Sequence, residues 1–330
     1  MVMMKRRQFF ALAGAGLGAS FLGGIGTAQA QLPPLRLGVL SFGTVEWELA
    51  AIRALGLDKA AGLAIDPLKL ASNDASRIAF LGDAVDSIVS DLLWAARMRG
   101  EGRDIVFLPF SASEGAVMRA PNSTIATVAD LAGKRIGVAG GALDKSWIML
   151  QAYAQHQAGL DLAKAAMPVF GAPPLLSMKL EQGELDAALL YWNFCARLEA
   201  KGYKRLVGAD EVARSFGVEG PLSFVGYVFK RGDAQADEKI SAFARISRQA
   251  KQALASQEAL WTQLRPLMQA DDEATYGVLK RTFIAGIPSR SVEEERADAA
   301  KLYAMLAKLG GEKLVGKTAA LPEGLYWTGR

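Results

Sequence analysis

The chain has 330 residues, of which 51% are hydrophobic, and its formal net charge is only +4. This balance excludes an intrinsically disordered chain, and the length is enough for two domains or one large α/β unit. Without the three bases Lys5, Arg6 and Arg7 the formal charge falls from +4 to +1, so the body of the protein offers no basic surface for nucleic acid.

The first thirty residues have the pattern of an export signal. A basic start is followed by a Gly- and Ala-rich apolar stretch, and Ala28-Gln29-Ala30 forms an A-x-A cleavage site. We therefore predict a signal peptide over 1–30, cleavage near Ala30/Gln31 and a periplasmic mature protein. The pair Arg6-Arg7 before two phenylalanines is typical of the twin-arginine route, and an ordinary Sec signal is the alternative.

The next eighty residues alternate short apolar runs with helical stretches. This order predicts βαβ units and hence a mainly parallel sheet covered by helices. The predicted strands are 35–40, 65–71, 85–90 and 105–110. The first predicted helix covers 45–57, the second begins near 74, and the third includes 94–98.

The same pattern restarts after residue 112, and a strand at 224–230 then leads into a helical tail. Ser291 and Glu294 form a capping box for a helix that ends at Gly310-Gly311. We predict lobe 1 over 31–112, lobe 2 over 113–223, and a return to lobe 1 over 224–330. The predicted strands of lobe 2 are 115–119, 135–139, 167–170, 186–191 and 204–207. A short helix is predicted at 127–131 and another at 173–182; a third follows the strand 135–139 and ends near 157, and a fourth follows the strand 186–191 and includes residue 198.

Small polar residues, glycines and tryptophans follow the predicted strands. Ligands of open α/β sheets gather at the carboxyl ends of strands, where a Trp offers a large apolar face and one N–H donor. Four of the six tryptophans lie just after such ends, and the alternative for each is plain packing between helix and sheet. These are Trp47, Trp94, Trp147 and Trp192.

The stretch GVAGGALDKSW at 137–147 joins a strand to a helix through Gly140 and Gly141. Glycines lack a Cβ, so we expect backbone N–H groups here to face a ligand, in front of a helix that starts near Ala142. The alternative is a tight structural turn. No G-x-x-x-x-G-K-[ST] loop exists, and no G-x-G-x-x-G follows the first strand, which excludes these nucleotide sites.

The sequence offers little for catalysis or for a metal. It has one His and one Cys, which is too few for a zinc site or for an assembled nucleophilic triad. His156 is expected near a helix end, and Cys195 is expected as a small buried side chain. We therefore predict no catalytic residue, no metal site and no cofactor.

Several of these features together resemble the periplasmic substrate-binding proteins of ABC importers. They are the export signal, LRLGVLSFGTVEW after it, TVADLAGKRIGVAGG, GELDAALLYW and the helical tail, in that order. The chain is most similar to the nitrate/taurine/sulfonate (NitT/TauT) type. The resemblance implies a periplasmic binding protein type II fold, in which two α/β lobes joined by two crossovers close on a small molecule. It also implies a monomer that delivers its solute to an inner-membrane ABC permease.

The resemblance also points to ligand-binding residues by position. It implies binding by Gly43, Thr44, Val45, Asn73, Ser90, Asp91, Ser111, Ser113, Gly140, Gly141, Ala142, Trp192 and Asn193. Our own interpretation adds Trp47 as a second aromatic face and Glu46 as a polar partner.

The predicted loops depart from an anion-binding pattern because acids outnumber bases in them. They hold one lysine, Lys145, and so many acids that a bare anion would be repelled. The acids are Glu46, Glu48, Asp74, Asp91, Glu114 and Asp144. We therefore expect a small organic ligand that is neutral, zwitterionic or heteroaromatic, with Trp192 and Trp47 against its flat part and Asp91 and Glu46 at its polar end.

Two other functions stay open at this point. One is a periplasmic accessory protein of a quinoprotein dehydrogenase system. The other is an enzyme on the same fold, such as the thiamine-pyrimidine synthases, although this chain lacks their cysteine run and histidines.

Overall fold

The computed structural model describes residues 32–329, so the predicted signal peptide and its cleavage site lie outside the described residues. The described chain contains two five-stranded sheets with helices packed on them. None of the helices within 32–329 is long and apolar enough to cross a bilayer.

The first sheet has the strand order β2-β1-β3-β10-β4. Its strands are regular because their inward positions carry large aliphatic and aromatic side chains, while Gly38 admits the closely packed Ile88. The elements of this half are β1 (Leu32–Leu40), α1 (Val45–Ala54), α2 (Leu57–Ala60), β2 (Leu63–Leu70), α3 (Asn73–Leu81), β3 (Ser87–Asp91), α4 (Leu92–Gly100), β4 (Ile105–Ser111) and later β10 (Val225–Lys230).

The second sheet repeats this order as β7-β6-β8-β5-β9. A short 3-10 helix (Val128–Leu131) precedes β6, as the sequence predicts. The elements are β5 (Ala116–Arg119), β6 (Arg135–Ala139), α5 (Lys145–Ala158), α6 (Leu162–Ala165), β7 (Met167–Gly171), α7 (Pro173–Glu181), β8 (Ala187–Leu190), α8 (Trp192–Ala200), β9 (Lys204–Gly208) and α9 (Ala209–Ser215).

Both sheets are mainly parallel, as predicted, because four strands of each run in the same direction and one runs against them. In the first, β10 is inserted antiparallel between β3 and β4. In the second, β5 is inserted antiparallel between β8 and β9. Each inserted strand directly follows a crossover from the other sheet, so the chain enters from the opposite end and runs against its neighbours. We call these connections the first crossover (112–115) and the second crossover (216–224).

The chain after β10 is helical almost to its end, as predicted. The capping box is present: the Ser291 hydroxyl accepts from the Glu294 N–H at 3.2 Å, and the Glu294 carboxylate accepts from the Ser291 N–H at 2.9 Å. The helices are α10 (Ala234–Ser256), α11 (Glu258–Met268), α12 (Glu273–Ala285), α13 (Val292–Gly310) and the short α14 (Glu312–Val315).

One predicted helix is shorter than expected. The sequence predicts a helix over 45–57, but α1 ends at Ala54 and a separate turn, α2, begins at Leu57. Gly56 has a φ of 65°, the left-handed conformation that ends a helix and that glycine adopts without strain.

Candidate functional site

A cavity of about 120 Å³ lies between the two sheets, at the carboxyl ends of their parallel strands. It is bordered by β-strand ends, by the first turns of α1, α5 and α8, and by the first crossover. Its lining residues are Leu40, Phe42, Gly43, Thr44, Val45, Asn73, Val89, Ser90, Asp91, Phe110, Ser111, Ser113, Glu114, Gly115, Asp144, Lys145, Ser146, Tyr191, Trp192, Asn193 and Val225.

Most of the residues singled out from the sequence border this cavity. Both sheets contribute, so the βα junctions of the two halves meet at the cavity. These residues are Gly43, Thr44, Val45, Asn73, Ser90, Asp91, Ser111, Ser113, Trp192 and Asn193. Their part in binding stays a prediction.

Trp47 lies away from the cavity, in the core of the first half. It is 3% exposed, and its ring packs edge-on against Trp192 at 5.9 Å and Trp261 at 6.3 Å. The reason is the helical period of α1: Trp47 lies two residues after Val45, so it points to a different side of the helix, toward the core, while Val45 borders the cavity. Trp47 therefore supports the Trp192 ring instead of offering a face of its own. Glu46, the other added residue, is also not in the lining; its carboxylate lies 3.8 Å from the Lys69 ammonium.

Gly140, Gly141 and Ala142 do not line the cavity, and the helix behind them starts at Lys145 rather than near Ala142. Gly140 has a φ of 95°, and a Cβ there would lie 2.6 Å from the Asp144 carboxylate and 2.9 Å from the Tyr191 hydroxyl. The close approach therefore brings the chain's own Asp144 and Tyr191 near the backbone. The Asp144 carboxylate accepts from the Ser146 N–H at 2.9 Å, so it already caps the helix.

Sequence reasoning missed several lining residues that carry the chemistry of the site. Glu114, Asp144 and Lys145 were recognised only as loop charges, and Tyr191 only as part of a junction. Phe110 belongs to a strand, and nothing in its local pattern separates it from an ordinary core residue. All five border the cavity.

Glu114 and Lys145 form a buried ion pair on the cavity wall. The Lys145 ammonium donates to Glu114 Oε2 at 2.5 Å and to the Ser146 hydroxyl at 3.2 Å. The two side chains are 3% and 7% exposed. Burial raises the pKa of Glu114 to about 7, even though Lys145 lowers it. Burial also disfavours the Lys145 charge, but the carboxylates of Glu114 and Asp144 hold its pKa above its usual value.

Asp91 is held by two donors on the other side of the cavity. Its Oδ1 accepts from the Trp94 N–H at 2.8 Å and so caps α4, and its Oδ2 accepts from Arg77 at 2.7 Å. Asp144 lies close enough for charge repulsion with Asp91, and burial raises the pKa of Asp144 to about 6.

Two polar contacts near the cavity join the halves of the molecule. The Asn73 amide donates to the Tyr191 hydroxyl at 2.8 Å, and the Asn193 amide donates to the Phe42 carbonyl at 3.4 Å. Burial, with the Asp144 and Asp91 charges, raises the pKa of Tyr191 well above its usual value, so its hydroxyl keeps its proton. The structure is therefore a closed arrangement around the cavity.

His156 and Cys195 both lie outside the cavity lining. His156 is exposed in the last turn of α5, with its ring against Phe216. Cys195 is fully buried in α8, and burial raises the pKa of its thiol to about 12. Within 32–329 no group of three or more His, Cys, Asp or Glu side chains is arranged to hold a metal ion.

Comparison with known proteins adds a family to this geometry. The sequence model described as "NMT1/THI5 like" matches residues 58–258. The chain belongs to the NMT1/THI5-like family. No curated protein sequence matches this NMT1/THI5-like chain significantly.

Solved structures similar to this NMT1/THI5-like chain include periplasmic binding proteins. The alkanesulfonate-binding protein SsuA from Xanthomonas axonopodis pv. citri, solved with MOPS, is 18% identical, covers 90% of this chain and 99% of its own, and gives a TM-score of 0.69. The aliphatic sulphonate-binding SsuA from Escherichia coli is 19% identical, with coverages of 89% and 97% and a TM-score of 0.65. These likenesses confirm the periplasmic binding protein type II fold that the sequence resemblance implies.

A third structure broadens the range of ligands found on this fold. It is the ligand-binding component of an ABC-type import system from Staphylococcus aureus, solved with zinc. It is 12% identical to this chain, with coverages of 89% and 97% and a TM-score of 0.63. The fold thus accommodates different ligands, and the cavity's own residues must be used to argue what this chain binds.

Proposed function

We propose that this protein is the solute-binding component of an ABC importer, which captures a small organic molecule in the cavity and delivers it to a membrane permease. The observation that carries the proposal is a cavity lined from both sheets and from the first crossover, on the fold of the periplasmic binding proteins. A hinged arrangement of this kind suits capture and release.

The cavity wall supports a ligand that combines an apolar body with a polar end. Phe42, Phe110 and Trp192 provide aromatic surface on the wall, and carboxylates border the remainder. The first turns of α1 and α8 lack a side-chain cap, so their backbone N–H groups suit an acceptor on the ligand. This combination favours a neutral, zwitterionic or heteroaromatic solute over a simple anion.

The same proposal includes a periplasmic location, with residues 1–30 removed near Ala30/Gln31, and a monomer whose lobes span 31–112 with 224–330 and 113–223. The supporting observations are the export-signal pattern and the low-identity likeness to exported binding proteins. N-terminal sequencing of the exported protein tests the cleavage site, and an intact Met1 in the periplasm would contradict it.

Replacement of Trp192 by Ala tests the proposed site. Native mass spectrometry of protein taken from its own periplasm identifies the co-purified solute, and calorimetry then measures its affinity. We expect Trp192→Ala to weaken binding by roughly 1–3 kcal/mol, the scale of a lost buried aromatic face. Trp192→Phe keeps an aromatic face and serves as the control. An unchanged affinity in Trp192→Ala would show that the solute binds elsewhere, and tight binding of sulfate, nitrate or an alkyl sulfonate would contradict the proposed class of solute.

A further inference from the structure

One oxygen on the cavity wall lacks a partner. Glu114 Oε2 accepts from Lys145, but Glu114 Oε1 is buried and has no hydrogen bond to any of the described residues. The side chain is only 3% exposed and borders the cavity. A buried acceptor without a partner is costly and rare in native proteins, so an acceptor of this kind on a cavity wall is a candidate contact for a ligand.

The other carboxylates of the cavity have protein partners. Asp91 accepts from Arg77 and from the Trp94 N–H, and Asp144 accepts from the Ser146 N–H. Glu114 Oε1 is therefore the carboxylate oxygen of this wall that is both fully buried and unpartnered among residues 32–329.

The charges around the cavity favour a positively charged ligand. Asp91, Glu114 and Asp144 border it, whereas Lys145 is the one basic side chain among its described lining residues. The Lys145 ammonium is already bound to Glu114 and to the Ser146 hydroxyl, and Arg77, outside the lining, is bound to Asp91. An anion would find no free cation here, while a cation would meet an excess of negative charge.

We infer that the solute carries a cationic N–H group, a primary ammonium or an amidinium, that donates to Glu114 Oε1. This inference rests on the proposed function and narrows the class of its ligand. The apolar body attached to the nitrogen packs against Phe42, Phe110 and Trp192. The uncapped first turns of α1 and α8 leave room for an acceptor elsewhere on the same solute.

The position of Lys145 couples this contact to closure. Its ammonium touches Glu114 on the first crossover and lies 5.1 Å from the centre of the Phe224 ring on the second crossover. A cation that shares Glu114 with Lys145 therefore acts on a group that contacts both connections between the sheets. The charges of Asp144 and Asp210 also raise the pKa of Glu114.

A series of three probes tests the head group. Benzylammonium, benzyl alcohol and benzenesulfonate share one ring and differ in charge and in hydrogen bonding. We expect calorimetry on the full mature protein to show benzylammonium bound about tenfold tighter than either of the others, the scale of one charge-assisted hydrogen bond. We also expect native mass spectrometry to find an N–H cation in the co-purified solute.

Two variants assign the preference to Glu114. Glu114→Gln keeps the shape and removes the charge, and should abolish the preference for benzylammonium over benzyl alcohol. Because Gln leaves the buried Lys145 without a carboxylate, the neutral double variant Glu114→Gln/Lys145→Met serves as the second test. Asp74→Asn removes an exposed acid from the first turn of α3 and is the matched control, expected to keep the preference.

The outcomes separate this inference from the proposed function. An anionic co-purified solute, a preference for benzenesulfonate, or a preference that survives in both Glu114 variants overturns the inference and leaves solute binding standing. A protein that carries no solute from its periplasm and binds none of the three probes overturns both.

Discussion

Glu114 shows how much of this site depends on single residues. It belongs to the first crossover, where the neighbouring Ser113 hydroxyl donates to the Thr282 carbonyl at 2.6 Å and the Ala112 N–H donates to the Gly286 carbonyl at 2.8 Å. The carboxylate is thus carried by backbone that α12 holds in place. Its position, rather than its charge alone, makes it a candidate to recognise a ligand.

The raised pKa of Glu114 predicts a pH dependence of stability. The pKa rises from its ordinary 4.5 to about 7 on folding. Between these values the folded state holds a proton that the unfolded state has lost, so this group lowers the stability of the ligand-free protein progressively as pH rises from 4.5 to about 7. Above pH 7 the full loss of stability from this group remains, and below pH 4.5 this group causes no loss.

Urea unfolding across that pH range measures this effect. We expect the free energy of unfolding of the wild type to fall with rising pH relative to the Glu114→Gln/Lys145→Met variant, which lacks the titrating carboxyl. A difference that stays constant, or that grows in favour of the wild type, would contradict the assignment.

At the scale of elements, helix α13 fastens the second crossover. The Asp298 carboxylate accepts from the backbone N–H groups of Glu219 and Gly220 and from Arg290, at 3.0, 3.2 and 2.7 Å. One turn earlier, Glu295 accepts from the hydroxyl of Ser223 at 2.8 Å. The crossover also buries Phe216, Val218, Leu222 and Phe224 in the core, so two buried carboxylates of one helix bind its polar groups while these side chains anchor it.

Replacement of Asp298 by Ala should therefore be strongly destabilising. It leaves two N–H groups and the partly buried Arg290 guanidinium without their acceptor, and we expect a loss of about 2–4 kcal/mol in the free energy of unfolding. Urea denaturation measures it. Glu293→Ala, an exposed acid on the same helix, is the control and should stay within about 0.5 kcal/mol of the wild type. Equal effects of the two variants would show that the hydrogen bonds from Asp298 to the second crossover contribute little to stability.

At the scale of the whole molecule, contacts outside the cavity also hold the closed arrangement. Arg197 on α8 donates to the carbonyls of Met268 and Gln269 at the end of α11, at 2.5 and 2.8 Å. This contact joins a helix of the second sheet to the C-terminal helices beside the first. It lies outside the cavity lining, so it can influence closure without touching a ligand.

Replacement of Arg197 by Ala should favour the open arrangement. We expect small-angle scattering to show a larger radius of gyration in the ligand-free variant, and affinity for the solute to fall about tenfold, the scale of hydrogen bonds from one charged donor. The wild type should become more compact on saturation with solute. Lys201→Ala on the same side of the molecule breaks an exposed pair with Glu181 within the second half and is the control. An unchanged affinity in Arg197→Ala would argue against a role in closure.

The amino-acid sequence by itself determined the local elements and the edge at which the site lies. Apolar runs, glycines and the Ser291–Glu294 capping box are local signals, so the strands within 32–329, and the helices whose ends were predicted, begin and end within a few residues of their predictions. The individual helices of the C-terminal tail before Ser291, and the short helices α2, α6, α9 and α14, were not predicted. Because parallel strands of one sheet bring their carboxyl ends to one edge, the sequence alone was enough to place Asn73 near Ser90, while the resemblance to two-lobed binding proteins was needed to bring Trp192 of the second sheet to them.

Only the tertiary structure decided which side chains meet and which strands insert antiparallel. Glu114 and Lys145 pair across 31 positions of sequence, and no local periodicity encodes such a contact. Trp47 and Trp192 follow similar junctions, yet helix rotation buries the first in the core and turns the second to the cavity. The sequence patterns of strands β5 and β10 do not differ from those of the other strands. Their antiparallel direction follows from the end of the sheet at which each crossover brings the chain in. Long-range pairing is set by the packing of the whole molecule, which the local pattern does not contain.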